Sequence, residues 1–111
     1  MKKGEVWRVR LPAASGHAQT GDRPAIIVQN DQHIAALPTV LVVPLTGTRA
    51  ASRFLGTVAI QPDGRNGLTI PSVALVFQVR ALDKNALLPR MGEVDASTLD
   101  QVMQTLVDLT G

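Results

Sequence analysis

The chain of 111 residues contains no cysteine, which excludes a disulfide framework and any thiolate metal site. No apolar run approaches the roughly 20 residues that a membrane-spanning helix needs. The longest apolar stretches, such as Val40 to Leu45, are the size of a strand. No apolar segment follows Met1-Lys2-Lys3-Gly4-Glu5 in the manner of a secretory leader. The expectation by exclusion is a soluble cytoplasmic protein without membrane contact. Basic residues are also missing from one part of the chain: no Lys or Arg lies beyond Arg90. The formal charge of +2 therefore hides a surplus of six positive charges up to Arg90 and four uncompensated acids after it. A basic body suits a polyanionic ligand with the acidic tail held away from it, although asymmetry of this size is also ordinary in small domains.

What is present is enough for one core. Hydrophobic residues make up 45% of the chain, and its length is that of a single domain, residues 1–111. Two domains would leave neither half with enough burial to be stable. Glu5-Val-Trp-Arg-Val-Arg10 alternates polar and apolar residues as a half-buried strand does. Leu11 to Asp22, with Gly16 and Gly21, reads as a long exposed loop. Ala25 to Gln29 and Thr39 to Leu45 are β-branched runs that suit buried central strands, and Thr57 to Ile60 is a further strand. Pro62 to Gly67 is dense in turn residues, and Ser72 to Arg80 is the longest candidate strand.

The period then changes. Leu99, Val102, Met103, Leu106 and Val107 recur at helical spacing on one face. Asp95 or Ser97 can cap this helix, Asp100 suits its first turn, and Gly111 lies just beyond it. The reading is mainly antiparallel β with one C-terminal α-helix, in a small, partly open barrel. That architecture hosts many functions and decides nothing about chemistry.

Four blocks narrow the field. Gly16-His-Ala-Gln-Thr-Gly-Asp-Arg-Pro24 runs into the apolar strand Ala25-Ile-Ile-Val-Gln-Asn30. Gly4-Glu-Val-Trp-Arg-Val9 precedes it; Val42-Val-Pro-Leu-Thr46 and Gln78-Val-Arg-Ala-Leu-Asp-Lys84 follow. Together, in this order and across essentially the whole chain, they resemble the MazF/PemK toxins of type II toxin–antitoxin systems. The resemblance implies the CcdB/PemK-like fold, an SH3-like or partly open barrel. It also implies a metal-independent, sequence-specific endoribonuclease that cuts single-stranded mRNA and arrests growth. Implied with it are a homodimer, an antitoxin with an acidic disordered tail and no cofactor.

Cleavage without a metal has the 2′-OH attack its own phosphate, leaving a 2′,3′-cyclic phosphate and a 5′-OH. A guanidinium clamps the phosphate oxygens and a hydroxyl donates one more hydrogen bond. The resemblance assigns these catalytic roles to Arg23 and Thr46. Taken alone, Arg23 is a solvated loop charge and Thr46 an ordinary residue after a strand. An arginine side chain holds its proton too firmly to act as a proton acceptor, so Arg23 is expected to stabilise charge. His17, whose type titrates at roughly 6.5, is the better candidate for proton transfer, with Gln19 orienting the substrate. As a loop residue, His17 equally reads as plain surface. His33 has no partner at metal-ligand spacing, and no metal site is expected.

Arg49, Arg53 and Phe54 match the family's second substrate-facing loop, for backbone contact and base stacking. The alternative there is an exposed loop with its aromatic tucked into the core. Trp7 reads as core or dimer interface. With aromatics at 3% of the chain, stacking cannot be extensive. Gln78 and Arg80 are expected to bind RNA, orient the active strand or join the subunit contact. Two departures bear on base preference and on any carboxylate-assisted step. Ala18 replaces the glutamate of the loop motif, and Leu75, Val76 and Phe77 stand where many relatives place a charged or polar residue. Two other classes stay open: a CcdB-like toxin that binds DNA gyrase without catalysis, and a non-catalytic barrel that binds RNA or protein.

Overall fold

In a computed structural model, residues 1–12 and 20–111 are described. The strands are β1 (Glu5–Leu11), β2 (Gly21–Ile27), β3 (Thr39–Thr46), β4 (Thr57–Ile60), β5 (Ser72–Leu75), β6 (Arg80–Asp83) and β7 (Leu87–Glu93). A single helical turn, α1 (Asp31–Ile34), follows β2, and the long helix α2 (Ala96–Thr110) ends the chain. Every pairing is antiparallel, in the order β4-β5-β3-β2-β1-β7 with β6 also on β3. The sheet does not close, which agrees with a partly open barrel.

β3 organises the molecule. Its first half pairs with β6, Val40 opposite Leu82 and Val42 opposite Arg80. Its end pairs with β5, Leu45 opposite Ala74, and β2 lies along its other edge. Strand alternation sends its side chains to two cores. Val43 and Leu45 join Val6, Ile26 and Val76 under α2. Val40 and Val42 join Val9, Ala25, Ile27 and Leu82 on the opposite face.

α2 is capped by Asp95, the first of the two candidates, whose side chain accepts from Thr98 N–H at 2.7 Å. That bond, acting on the exposed carboxylate, holds its pKa below the usual value. Leu99, Val102, Met103 and Leu106 pack on the first core, but Val107 is 55% exposed. Ser72 to Arg80 is not one strand: a 3₁₀ turn at Val76–Gln78 separates β5 from β6. α1 and β7 are elements that the sequence reading does not contain, and Leu11 and Gly21 are strand residues rather than loop.

Candidate active site

The β2–β3 pairing ends with Ala25 opposite Pro44. Pro24 and Pro44 have no N–H with which to extend the ladder. Arg23 and Thr46 each lie two residues beyond that pair, on the face shared by Ala25 and Pro44, and both line one cleft. Arg80, opposite Val42, belongs to that face of β3 as well. Arg23 is exposed, and its Nε donates to the Thr20 carbonyl at 3.1 Å. Thr46 is 5% exposed. Its Oγ1 accepts from Thr48 N–H at 3.2 Å, which directs the hydroxyl's own proton elsewhere.

Thr46 is a common wall of two clefts. One, of about 350 Å³, is also lined by Arg53, Phe54, Phe77 and Gln78. The other, of about 220 Å³, is lined by Arg8, Asp22, Arg23 and the 68–72 segment. In the smaller cleft Gly47 leaves room for Ile70: a Cβ there would lie 2.5 Å from Ile70 Cδ1. The rim of the larger cleft is a 3₁₀ turn at Arg49–Arg53. Ser52 Oγ donates to Arg49 O at 2.8 Å, and Thr57 Oγ1 donates to Phe54 O at 2.9 Å. Three arginines, Arg8, Arg23 and Arg53, line the two clefts, and the one carboxylate lining them, Asp22, is 3.4 Å from Arg10 Nε. The local field is positive, which favours a phosphate.

The expected residues therefore fall as follows. Arg23 and Thr46 come together at one strand end, and Arg53, Phe54 and Gln78 gather round Thr46 in the larger cleft. Phe54 is 42% exposed and lies at the cleft, not in the core. Arg49 is exposed on the rim outside both linings. His17 and Gln19 lie outside the described residues. Trp7 is half-buried, with Nε1 donating to Glu5 Oε1 at 3.0 Å, and His33 is surface. Among the described residues, no three His, Asp, Glu or Cys side chains are grouped to hold a metal ion. The sequence reading did not single out Arg8 as a site residue. Its one signal is its polar position in the alternation of β1, on the face of Pro24, its register partner.

An arginine-lined end of an open antiparallel sheet, with a C-terminal helix on the core, defines a small open barrel suited to a polyanion. The model of the PemK-like, MazF-like toxins of type II toxin–antitoxin systems matches residues 2–110, and the chain belongs to that family. It is 32% identical to the endoribonuclease MazF of Staphylococcus saprophyticus over 102 residues, 92% of this chain and 84% of the relative. It is 30% identical to the endoribonuclease EndoA of Bacillus subtilis over 106 residues, 96% and 90% of the two chains. The crystal structure of MazF from Deinococcus radiodurans superposes with a TM-score of 0.83, at 23% identity over 100% of this chain and 96% of that one. A mycobacterial endoribonuclease solved with its cognate antitoxin gives 0.78, at 25% identity over 100% and 95%.

Proposed function

We propose that this chain, as one domain of residues 1–111, is the toxin of a toxin–antitoxin module. In this reading it cuts single-stranded RNA in the cytoplasm at a short recurrent sequence without a metal. The observation that carries the reading is the juxtaposition of Arg23 and Thr46 at the open β2–β3 end, in a family whose relatives are endoribonucleases. The 2′-oxygen attacks phosphorus while the bond from phosphorus to the 5′-oxygen breaks. The 2′-OH proton leaves to a base, and the departing 5′-oxygen takes up a proton. Arg23 clamps the non-bridging oxygens as charge develops, and Thr46 donates its hydroxyl proton to the same phosphate. His17 supplies proton transfer and Gln19 orientation. Arg49, Arg53, Phe54, Gln78 and Arg80 hold the flanking strand.

The partner is an antitoxin whose acidic, initially disordered tail covers the basic clefts, and a second copy of the chain completes the groove. A mycobacterial relative is seen with its cognate antitoxin. Purified protein incubated in EDTA with a long unstructured RNA, beside Arg23→Ala, tests the reading. Cutting at a recurrent short sequence, lost in the variant, supports it. Intact RNA from well-folded protein sinks it, and DNA breaks in a separate reaction containing DNA, gyrase and Mg²⁺ would move the chain to the gyrase-binding class.

A further inference from the structure

We propose that Phe77, with Phe54, forms the aromatic wall of a base-reading subsite beside the scissile phosphate. The rings hold the base of one neighbouring nucleotide by stacking, and Gln78 in the same cleft reads its edge. The proposal rests on the nuclease reading and adds a specificity determinant to it.

The chain has only two phenylalanines, and both line the cleft of about 350 Å³ that Thr46 walls. Phenylalanine is among the residues most often fully buried, yet these two residues are 42% and 38% exposed. Their centroids are 5.7 Å apart and their planes are inclined at 53°, so the pair leaves ring surface facing the cleft instead of stacking flat on itself. The Arg53 guanidinium sits 5.2 Å from the Phe54 centroid, which steadies that ring and adds positive charge at the rim.

The backbone under Phe77 is fixed. Its N–H donates to Gly56 O at 3.1 Å. Gly56 has a positive φ of 78°, and a Cβ there would come within 3.1 Å of Phe77 Cβ and 3.2 Å of the Leu109 methyls. Val76, just before it, is fully buried and anchors the turn. Every base presents a π-face that can stack on such a platform. Gln78 lines the same cleft, and an amide offers both donors and an acceptor to a base edge. Because Thr46 walls this cleft and also lines the one that holds Arg23, the base held here belongs to a nucleotide next to the cut.

The test is cleavage of a randomised RNA pool by the wild type, Phe77→Leu and Phe77→Tyr. The new ends are sequenced, and oligomeric mass is measured by sedimentation. Leucine keeps the Cβ beside Gly56 but has no ring; tyrosine keeps the ring. Phe77→Leu should cut the favoured sequence about tenfold more slowly and flatten the preference at one position beside the cut. Phe77→Tyr should retain that preference, and mass should be unchanged in both. An unaltered preference in Phe77→Leu, an equal loss over all sequences, or a fall in mass with preference intact overturns the proposal. The last result would make this face a contact between copies. A wild type that cuts no RNA overturns the nuclease reading itself, which is a separate and recognisable outcome.

Discussion

At the β1–β7 edge, polar side chains are turned inward and satisfied, whereas at the β2–β3 end they face outward beside exposed rings. Glu5, 7% exposed, accepts from Lys2 N–H at 2.9 Å, Trp7 Nε1 at 3.0 Å and Arg90 Nε at 3.0 Å. Asn66, 1% exposed, donates to Gln61 O at 2.8 Å and accepts from Leu68 N–H at 3.0 Å. Burying such groups is tolerable only because each finds partners. At the other end Arg23, Arg53, Phe54 and Phe77 are exposed, and Leu55 beside them is 93% exposed. Apolar and charged surface left open together marks a place built for a ligand. On the proposed function one end holds the fold and the other serves the reaction, so substitutions at the two should separate stability from activity.

The largest effect is expected at Arg23. Removing one preorganised charge-stabilising donor costs about 10² to 10³ in rate. Arg23→Ala should lose that much in single-turnover RNA cleavage while unfolding within about 0.5 kcal/mol of the wild type, as an exposed substitution does. A large fall in stability would break the comparison. The reciprocal case is Gly92→Ala. A Cβ at Gly92 would lie 2.1 Å from Arg65 O and 2.7 Å from Asn66 C. These are backbone atoms, so the 61–67 segment would have to shift off β7. A destabilisation of about 3 kcal/mol is expected, a fall in Tm on the order of 10 °C or more. Cleavage per folded molecule should persist. Thermal unfolding read beside activity checks both.

Glu5 sharpens the comparison through pH. Burial works against its ionisation, but the hydrogen bonds from Trp7, the Lys2 backbone and Arg90 outweigh it and hold its pKa below the ordinary value. A carboxylate with a lowered pKa in the folded state stabilises fully above its ordinary range, and loses that contribution as pH falls through the lowered value. Glu5→Gln should therefore be about 1–2 kcal/mol less stable near neutral pH. The gap between variant and wild type should shrink on acidification to about pH 3. Denaturant unfolding at both pH values decides it: a gap that widens in acid would show that the charge of Glu5 is not what braces this edge.

Much of the fold was legible, and the failures have physical causes. Helical spacing from Leu99 to Leu106 reports which face is buried, and that face is where it was expected; β1 departs from simple alternation, because Val6 and Val9 face opposite cores and Glu5 is buried. Ser72 to Arg80 misled because Val76, Phe77 and Val79 suit a strand, while the chain must turn there to pass from the end of β3 to its beginning. β7 was hidden by Pro89 and Gly92, which read as turn residues. As an edge strand it tolerates a proline without costing the sheet a central hydrogen bond. Of the candidate site, Arg23 and Thr46 were visible as strand ends carrying family motifs. That Phe77 shares a cleft with Thr46 was not visible, because it depends on the 3₁₀ turn between β5 and β6. Arg8 was equally hidden, since its cleft is closed by residues 68–72 from elsewhere in the chain.

The smallest effect is expected at Arg65, and it discriminates between two accounts of the braced edge. Its guanidinium lies 3.2 Å from Glu93 Oε1, but the two side chains are 68% and 37% exposed. An exposed pair of this kind contributes about 0–1 kcal/mol. The Arg65 carbonyl, by contrast, accepts from Glu93 N–H at 3.0 Å and sits against Gly92. If the segment is held by backbone contact, Arg65→Ala should change unfolding by no more than about 0.5 kcal/mol. It should also respond little to added salt, because little charge attraction is there to screen. A loss comparable to that of Gly92→Ala would mean that surface charge, not the close backbone approach at Gly92, joins the 61–67 segment to β7.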